Sequence, residues 1–210
     1  MKLKHRKKVE ARIEKRKNQI LDAATLIFSE KGYSRANTDE IAKKANLGKG
    51  TLYRYFKNKK DIFFSVVDRG LSKLKERILK EVEKAKDPLK KIENAIKAYL
   101  SFFEENRNFV GMLIHEQSSF RKRIAKRYFE HYYGNVDRIK KTFKTGIEQG
   151  LIKEMDMDSV ISVYASLLNG LVYMWQIESR KYRLIDKIPI VVKIFLTGII
   201  KDKKIRKRYE

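Results

Sequence analysis

The sequence predicts an all-α fold in which a small three-helix domain at the N-terminus precedes a larger helical bundle. Apolar residues recur at steps of three and four along most of the 210 residues, which is the period of amphipathic helices. No stretch shows a convincing alternation of apolar and polar residues between turn signals, as a half-buried strand would. Hydrophobic residues make up 42% of the chain, which favours a folded core over disorder. We place the two domains at residues 1–64 and 65–210.

The first helix is predicted from an apolar stripe in which Ile20, Ala24, Ile27 and Phe28 stand at i, i+4, i+7 and i+8. Gly32 is a natural C-terminal stop for it. Residues 1–17, which we call the basic arm, hold nine Lys and Arg against two acids. This composition is equally typical of a disordered tail, of an extension of the helix and of an arm that contacts DNA.

Two short helices joined by a tight turn follow. Asn37 can cap the first of them, with Glu40 three residues later completing a capping box. Asn46 and Gly48 supply the turn, because both residue types tolerate the backbone angles of a sharp corner. The second helix is predicted to begin near Lys49.

This second short helix has distinct inner and outer faces. Leu52 and Phe56 stand at i and i+4 on the inner face, whereas the outer residues are cationic, hydroxylated or glycine. Such a helix suits insertion into the major groove of DNA, where cations neutralise phosphates and hydroxyls reach phosphate oxygens or base edges. From periodicity alone, a surface hairpin with solvated lysines is an equally good interpretation. The predicted base-proximal residues are Lys49, Thr51, Tyr53 and Arg54, and Gly50 is predicted to permit close approach of the backbone to DNA.

The rest of the chain is predicted to be a series of longer helices. Asp87-Pro88 marks the best internal boundary, with Asp as a cap and Pro at the first helical position. The segment 159–177 has no charge in its 19 residues and could span a bilayer. Its serines, Asn169 and Gln176 favour burial between helices instead. The predicted helices are Lys59 to about Ala85, Leu89 to about Asn106, Phe109–Gln117, 121–148, Ser159–Ile177 and Ile188–Ile200, followed by a frayed tail from Lys201.

The charge of the chain points to a polyanionic partner. The net charge is +24, and residues 1–60 alone hold 18 Lys and Arg against 6 Asp and Glu. Half of the excess therefore lies in the N-terminal 60 residues, which we expect to face the partner. An anionic membrane surface would satisfy the same charge, so charge alone does not choose between DNA and membrane.

Residues 20–64 resemble the DNA-binding domain of the TetR family of transcription regulators. The resemblance is carried by "ILDAATLIFSEKGY" from Ile20, "TDEIAKKA" from Thr38 and "GKGTLYRYFKNKKDIF" from Gly48. Asn46 stands where the family usually has Gly, and Gly48 where it often has Ser. The family pattern implies phosphate contacts from Thr38, Tyr55 and Lys59.

The resemblance also implies how the protein works. It implies a cytoplasmic repressor that binds a palindromic double-stranded DNA operator as a homodimer and is released by a small, lipophilic effector. The dimer would form through helices at about 158–178 and 187–201, arranged as a four-helix bundle. Helical spacing in the segment 159–177 also places Ser162, Ser166 and Gly170 in a stripe of small residues, which lets another helix approach closely, either the dimer mate or the final helix of the same chain. The long helix from Lys59 would connect effector binding to DNA reading.

A small-molecule site is expected among the central helices, where aromatic bulk accompanies a few polar groups. The resemblance implies such a site without identifying its residues. For any one aromatic residue, ordinary core packing is the alternative. The predicted effector-binding residues are Tyr99, Phe103, Met112, His115, Tyr128, Tyr132, Tyr173 and Trp175.

Signals for catalysis, metals or cofactors are lacking in the sequence. It contains no Cys, and its three His have no helical metal-ligand spacing. No phosphate-binding glycine loop, dinucleotide fingerprint or GxSxG elbow occurs. We therefore expect no enzyme activity, no metal and no cofactor. The alternatives to a specific regulator are a non-specific, nucleoid-type DNA-binding protein and a membrane-surface protein.

Overall fold

The computed structural model describes residues 2–115, 117–133, 136–179 and 181–209. For residues 2–4, 117–119, 121, 129, 132 and 133 it describes the backbone alone. Every regular element in these ranges is a helix, and the described residues form one isolated antiparallel bridge, between Ile152 and Ile200. The all-α prediction is confirmed.

The chain divides into two compact units. The first comprises Met1–Gly70 together with Asn108–Ile124, and the second comprises Leu71–Arg107 together with Ala125–Glu210. A stretch from the middle of the chain therefore packs with the N-terminal residues, which the sequence analysis did not predict.

The first unit contains α1 (Lys2–Arg35), α2 (Thr38–Lys44), α3 (Lys49–Tyr55) and the first half of α4 (Lys59–Glu83). The basic arm is part of α1, and its residues 5–15 are all exposed. Gly32 adopts φ 71° and interrupts the regular helix, but the element continues for one more turn to Arg35. The predicted C-terminal stop at Gly32 is therefore confirmed for the regular helix, and residues 33–35 form a separate turn beyond it.

Local side-chain chemistry produces the corner between α2 and α3. The Asn37 side chain accepts a hydrogen bond from the backbone N–H of Asp39 at 3.0 Å and caps α2 as predicted. Asn46 has φ 53°, the left-handed conformation that Asn tolerates better than most residues. Gly48 instead has φ −73° and precedes α3 in an extended conformation, so the corner depends on Asn46.

Aromatic residues from distant parts of the sequence form the core of the first unit. The ring of Phe120 lies 4.7 Å from Tyr33, 5.2 Å from Phe63 and 5.4 Å from Phe64, measured between centroids. Such ring pairs contribute beyond the apolar area that they bury. The segment Asn108–Ile124 is therefore part of this core rather than a covering on it. Other fully buried residues of the unit are Ile20, Phe28, Ile41, Leu52 and Ile62.

The second unit is a helical bundle. Asp87 caps α5 through a 3.2 Å hydrogen bond from the Leu89 N–H, with Pro88 at the first position, as predicted. Of the helix predicted over 121–148, the structure describes the part of α7 up to Tyr133 and the whole of α8 from Val136, and residues 134 and 135 lie outside the described residues. The tail includes a short helix rather than only frayed chain.

The elements after α4 are α5 (Pro88–Glu105), α6 (Arg107–His115), α7 (Gln117–Tyr133), α8 (Val136–Glu148), α9 (Met157–Ile177), a 3-10 turn (Leu184–Lys187), α10 (Ile188–Ile199) and α11 (Lys203–Arg206).

Helix α9 is buried on one face only. Ile161, Leu168 and Trp175 lie inside the second unit, whereas Ser162, Ser166 and Gly170 are exposed. No described atom lies within 4 Å of a Cβ built on Gly170, so the small stripe is not covered by α10 of the same chain. By length and composition α9 could cross a membrane, a property that it shares with core helices of globular proteins.

Exposed apolar residues continue from α9 onto α10. The exposed fraction is 62% for Val163, 52% for Ile177, 47% for Ile190 and 56% for Ile194. Scattered exposed apolar residues are normal, but a group of this size on two consecutive helices marks an interaction surface.

Candidate nucleic-acid interface and ligand cavity

Helix α3 is held by its inner face and presents its outer face to solvent. Leu52 is fully buried and Phe56 nearly so, which anchors the helix at both ends of its last turn. Lys49, Tyr53 and Arg54 are exposed, and Thr51 and Tyr55 are half-buried. No described atom lies within 4 Å of a Cβ built on Gly50, so the backbone there is open to an approaching ligand.

Two side-chain contacts orient this outer face. The hydroxyl groups of Thr38 and Tyr53 lie 3.0 Å apart, which joins the start of α2 to the middle of α3. The Lys49 ammonium lies 2.8 Å from a carboxylate oxygen of Asp39, and this hydrogen-bonded pair raises the pKa of Lys49. Each contact restrains a side chain of α3 before any DNA is bound, so part of the predicted reading set is already oriented.

The start of α2 is also tied to α1. Lys31 Nζ donates to Glu40 Oε1 at 2.6 Å, which is the main reason why the pKa of Glu40 lies below its ordinary value. A smaller contribution comes from the backbone N–H of Asn37, the second half of the predicted capping box.

Lys59 has an internal role that the sequence analysis did not predict. Its ammonium donates to the carbonyl oxygens of Tyr33 at 2.8 Å, Ser34 at 3.2 Å and Ala36 at 2.9 Å. The same group lies 4.6 Å from the centroid of the Tyr33 ring. A lysine ammonium has three hydrogens, and the carbonyls at the end of a helix lack intrahelical partners. Lys59 therefore caps the C-terminus of α1, and the expected phosphate contact competes with this cap.

The second unit contains a cavity of about 380 Å³. This volume falls within the range of roughly 300–1,000 Å³ that is usual for small-molecule sites. Its walls come from the second half of α4 and from α5, α7, α8 and α9, and most of the lining is aliphatic or aromatic. The apolar residues that line it include Leu71, Leu74, Ile78, Leu79, Val82, Ile92, Ala95, Ile139, Phe143, Tyr164 and Leu168.

Basic residues are more frequent than acidic ones in the cavity lining. Lys75, Lys91, Arg138 and Lys141 line it, and Glu83 is the one acidic residue of the lining that the structure describes. Arg138 Nη1 lies 3.5 Å from Glu83 Oε1, so part of the positive charge is balanced. The remaining excess of cations favours an anionic group on any ligand.

A polar cluster interrupts the apolar part of the lining. The hydroxyl of Tyr99 donates to Asn169 Oδ1 at 2.6 Å, and the hydroxyl of Tyr128 donates to the same oxygen at 3.1 Å. Both tyrosines line the cavity. Burial and the nearby Tyr128 hydroxyl raise the pKa of Tyr99 well above its ordinary value, so its phenol stays neutral. We call Tyr99, Tyr128 and Asn169 the tyrosine–asparagine cluster.

The structure separates the predicted effector residues into several groups. Tyr99 and Tyr128 line the cavity, whereas Phe103 and Trp175 are buried core residues outside its lining. Trp175 donates its indole N–H to the Tyr182 carbonyl at 2.8 Å, a structural contact. The effector-binding set therefore stays a prediction, of which Tyr99 and Tyr128 lie at this cavity, because spacing along a helix cannot tell a cavity wall from a packed core.

The other four predicted effector-binding residues are not among the described residues that line the cavity. Met112 and His115 belong to the first unit, where Met112 is fully buried and His115 is exposed. Tyr173 is exposed on α9. The side chain of Tyr132 lies outside the described residues. The sequence analysis missed the lining cations, and it assigned Asn169 to packing between helices.

Within the part of the chain that the structure describes, no group of three or more His, Cys, Asp or Glu is arranged to hold a metal ion. The cavity therefore offers hydrogen bonds, charge and apolar contact as its means of binding.

Comparison with known proteins relates both regions to proteins that regulate transcription. The family model of bacterial regulatory proteins of the tetR family matches residues 20–66. The HTH-type transcriptional regulator YhgD of Bacillus subtilis is 30% identical over 185 residues, covering 83% of this chain and 90% of that protein. The fatty acid metabolism regulator protein of the same species is 26% identical over 182 residues, covering 86% and 94%.

A solved structure extends this similarity to the whole fold. The transcriptional regulator FadR of Bacillus subtilis, crystallised in complex with stearoyl-CoA, matches with a TM-score of 0.75 and 26% identity. The match covers 86% of this chain and 98% of that one.

Proposed function

The chain belongs to the TetR family of bacterial transcriptional regulators, and from this membership we propose that it is a repressor released from a palindromic operator by a small, lipophilic effector. The DNA-binding part of this proposal is carried by the outer face of α3. Exposed Lys49, Tyr53 and Arg54 stand on a helix whose inner face is anchored by Leu52. A short helix of this kind can enter the major groove, where side chains read base edges.

The dimer in this proposal forms through α9 and α10. The exposed apolar residues Val163, Ile177, Ile190 and Ile194 support it, because their burial against a second copy would remove apolar area from water. The small stripe of Ser162, Ser166 and Gly170 on α9 would allow the two copies of that helix to approach closely. A two-fold dimer presents two copies of α3, which matches a palindromic operator with half-sites about 34 Å apart.

The effector in this proposal occupies the cavity of the second unit. Its volume and apolar walls suit an acyl chain, and Lys91, Arg138 and Lys141 suit an anionic head. The B. subtilis regulator that was crystallised with stearoyl-CoA supports an effector of this class, an acyl thioester or a fatty acid. Binding would release the operator by favouring a conformer in which the two α3 helices are wrongly spaced, provided that the effector binds this conformer more tightly.

A titration of DNA at several salt concentrations tests the DNA-binding function against the nucleoid-type alternative. The operator is sought as an inverted repeat beside the gene. The protein should bind it at least about a thousandfold more tightly than random duplex, because specific regulators show this ratio and a DNA coat does not. Equal affinity for both duplexes would establish the non-specific alternative, which the charge of +24 also supports.

A matched pair of variants tests the reading helix in the same assay. Arg54→Ala should lower affinity for the operator by about 1–3 kcal/mol and relax discrimination at one base position. Lys43→Ala, an equally exposed cation on α2, serves as the control for loss of one charge. If both variants lost affinity equally on operator and random duplex, α3 would not be the reading helix.

A further inference from the structure

The effector cavity has polar groups at two separated places along α5. Lys91 lies in the first turn of α5, and Tyr99 follows eight residues later, about 12 Å along the helix axis. The stretch between them contributes Ile92 and Ala95 to the lining. A ligand that fills the cavity therefore meets polar groups, then apolar wall, then polar groups again.

The first polar place is basic. Arg138 reaches this end of the cavity, because it pairs with Glu83 at the C-terminal end of α4, a few residues before α5 begins. Lys141 follows Arg138 by one turn of α8 and also lines the cavity. Three cations against one acid suit a carboxylate or a phosphate at this end.

The second polar place is the tyrosine–asparagine cluster. Tyr99 is only 6% exposed, and its hydroxyl lies 2.6 Å from Asn169 Oδ1, the oxygen that Tyr128 also reaches. Both tyrosine hydroxyls line the cavity and already donate to Asn169 Oδ1, and each hydroxyl oxygen keeps lone pairs that can accept a hydrogen bond from a ligand. A purely apolar chain end would bury them further without offering a hydrogen bond, whereas a hydroxyl can both donate and accept.

We propose that the natural effector is polar at both ends: an acyl chain with an anionic head at Lys91, Arg138 and Lys141 and a hydroxyl group at the tyrosine–asparagine cluster. This inference rests on the proposed effector site. It adds that the site discriminates between a hydroxylated chain and an unsubstituted chain of the same length.

Binding measurements with two homologous series of probes test the proposal. The probes are unsubstituted fatty acids and ω-hydroxy fatty acids of matched length, titrated into the full-length protein by calorimetry. At the length that spans the cavity, the hydroxy acid should bind about tenfold more tightly, the value of one good hydrogen bond. Equal binding of the two series at every length would overturn the proposal while leaving the effector site itself in place.

Three variants that each remove one hydroxyl group identify the side chains that bind the hydroxyl of the ligand. Tyr99→Phe and Tyr128→Phe should each reduce the tenfold preference several-fold, while affinity for the unsubstituted acid stays the same or rises. Thr142→Val is the matched control, because Thr142 lines the same cavity but its hydroxyl donates to the Arg138 carbonyl, outside the cluster. An unchanged preference in both cluster variants would show that the cluster is structural only. Thermal unfolding of each variant verifies that the fold is intact.

Two other outcomes are informative. Lys75 also lines the cavity, and it lies eight residues before Glu83 on α4, away from the basic end. If an α,ω-dicarboxylic acid bound more tightly than the hydroxy acid and the phenylalanine variants did not change this, Lys75 would be the reader and the hydroxyl proposal would be wrong. If no probe bound or released DNA, the proposed effector class would fail together with this inference.

Discussion

The ammonium group of Lys59 lies 2.9 Å from the carbonyl oxygen of Ala36, so the first residue of α4 holds the chain at the point where α1 turns into α2. Two more carbonyls, those of Tyr33 and Ser34, accept hydrogen bonds from the same group. Lys59, the residue expected to contact phosphate, thus also links α4 to the end of α1 within the first unit.

Lys59→Ala should lower the stability of the protein by about 1–3 kcal/mol, since charge-assisted hydrogen bonds to unpaired carbonyls are lost. Operator affinity should fall with little change in its salt dependence, because the ammonium is engaged internally. Lys60→Ala, at the exposed neighbouring position, is the control and should leave stability unchanged. A salt slope lowered by about one unit in Lys59→Ala would show instead that this ammonium neutralises a phosphate.

The position of the helical basic arm predicts that it contacts DNA outside the operator. Arg69 contacts Asn18 at 3.1 Å and Asp22 at 2.8 Å, while Lys59 contacts the other end of α1, so α1 runs antiparallel to α4. Residues 5–15 therefore lie about 25–40 Å along the axis from Gly32, where the regular helix is interrupted. If the arm binds DNA, it should raise the affinity for duplexes with long flanks but not the affinity for a minimal operator.

Two triple variants with equal loss of charge test this. Lys8, Arg12 and Lys15 share one helical face at i, i+4 and i+7, whereas Arg6, Lys7 and Lys17 are spread over the other faces. Replacing the first set by Ala should lower the salt slope by up to about 2.7 on long duplexes, and replacing the second set should have a smaller effect. Identical effects of both sets would mean that the arm acts only through its net charge.

Ser166→Trp should weaken the proposed dimer. Ser166 is exposed in the single chain, so a large side chain there has room until a second copy packs against α9. If the two copies of α9 pack closely, the large side chain should destabilise the dimer by about 1–3 kcal/mol. Operator affinity should then fall although no DNA contact is changed. Sedimentation and operator titration measure both effects, with Lys144→Trp on exposed α8 as the control. A dimeric Ser166→Trp protein with normal operator affinity would contradict close packing of α9 against a second copy.

Gly70→Ala should destabilise the first unit. A Cβ at Gly70 would lie 2.2 Å from Cζ of the Phe109 ring, so the ring or the helix must shift, at a cost of about 1–3 kcal/mol. Gly50→Ala is the contrasting control, because no described atom lies within 4 Å of its Cβ position. Ala there should raise helix stability by up to about 1 kcal/mol. Thermal unfolding compares the two, and equal stability of both variants would show that Phe109 moves aside freely.

Features that depend on a few consecutive residues were predictable. Asn37 caps α2, Asp87 and Pro88 begin α5, and Leu52 with Phe56 forms the inner face of α3. In each case the partner atom lies within a turn or two of the chain, so residue type and spacing contain the information.

Features that depend on distant residues needed the tertiary structure. Spacing places Tyr99 and Phe103 on one face of α5, but only Tyr99 lines the cavity, where α7 adds Tyr128. Helix α9 supplies Asn169, which accepts hydrogen bonds from both tyrosines. Phe120 becomes part of the first unit through rings that stand far before it in the sequence.

By itself the sequence determined the helical class, the turn at Asn46, the exposed face of α3 and the family, because these depend on local propensity, period and a contiguous motif. The tertiary structure alone decided which buried residues line a cavity, that cations face it and that Lys59 caps α1. These properties arise where helices distant in sequence meet, and the side chains that meet there follow from packing geometry rather than from periodicity within one helix.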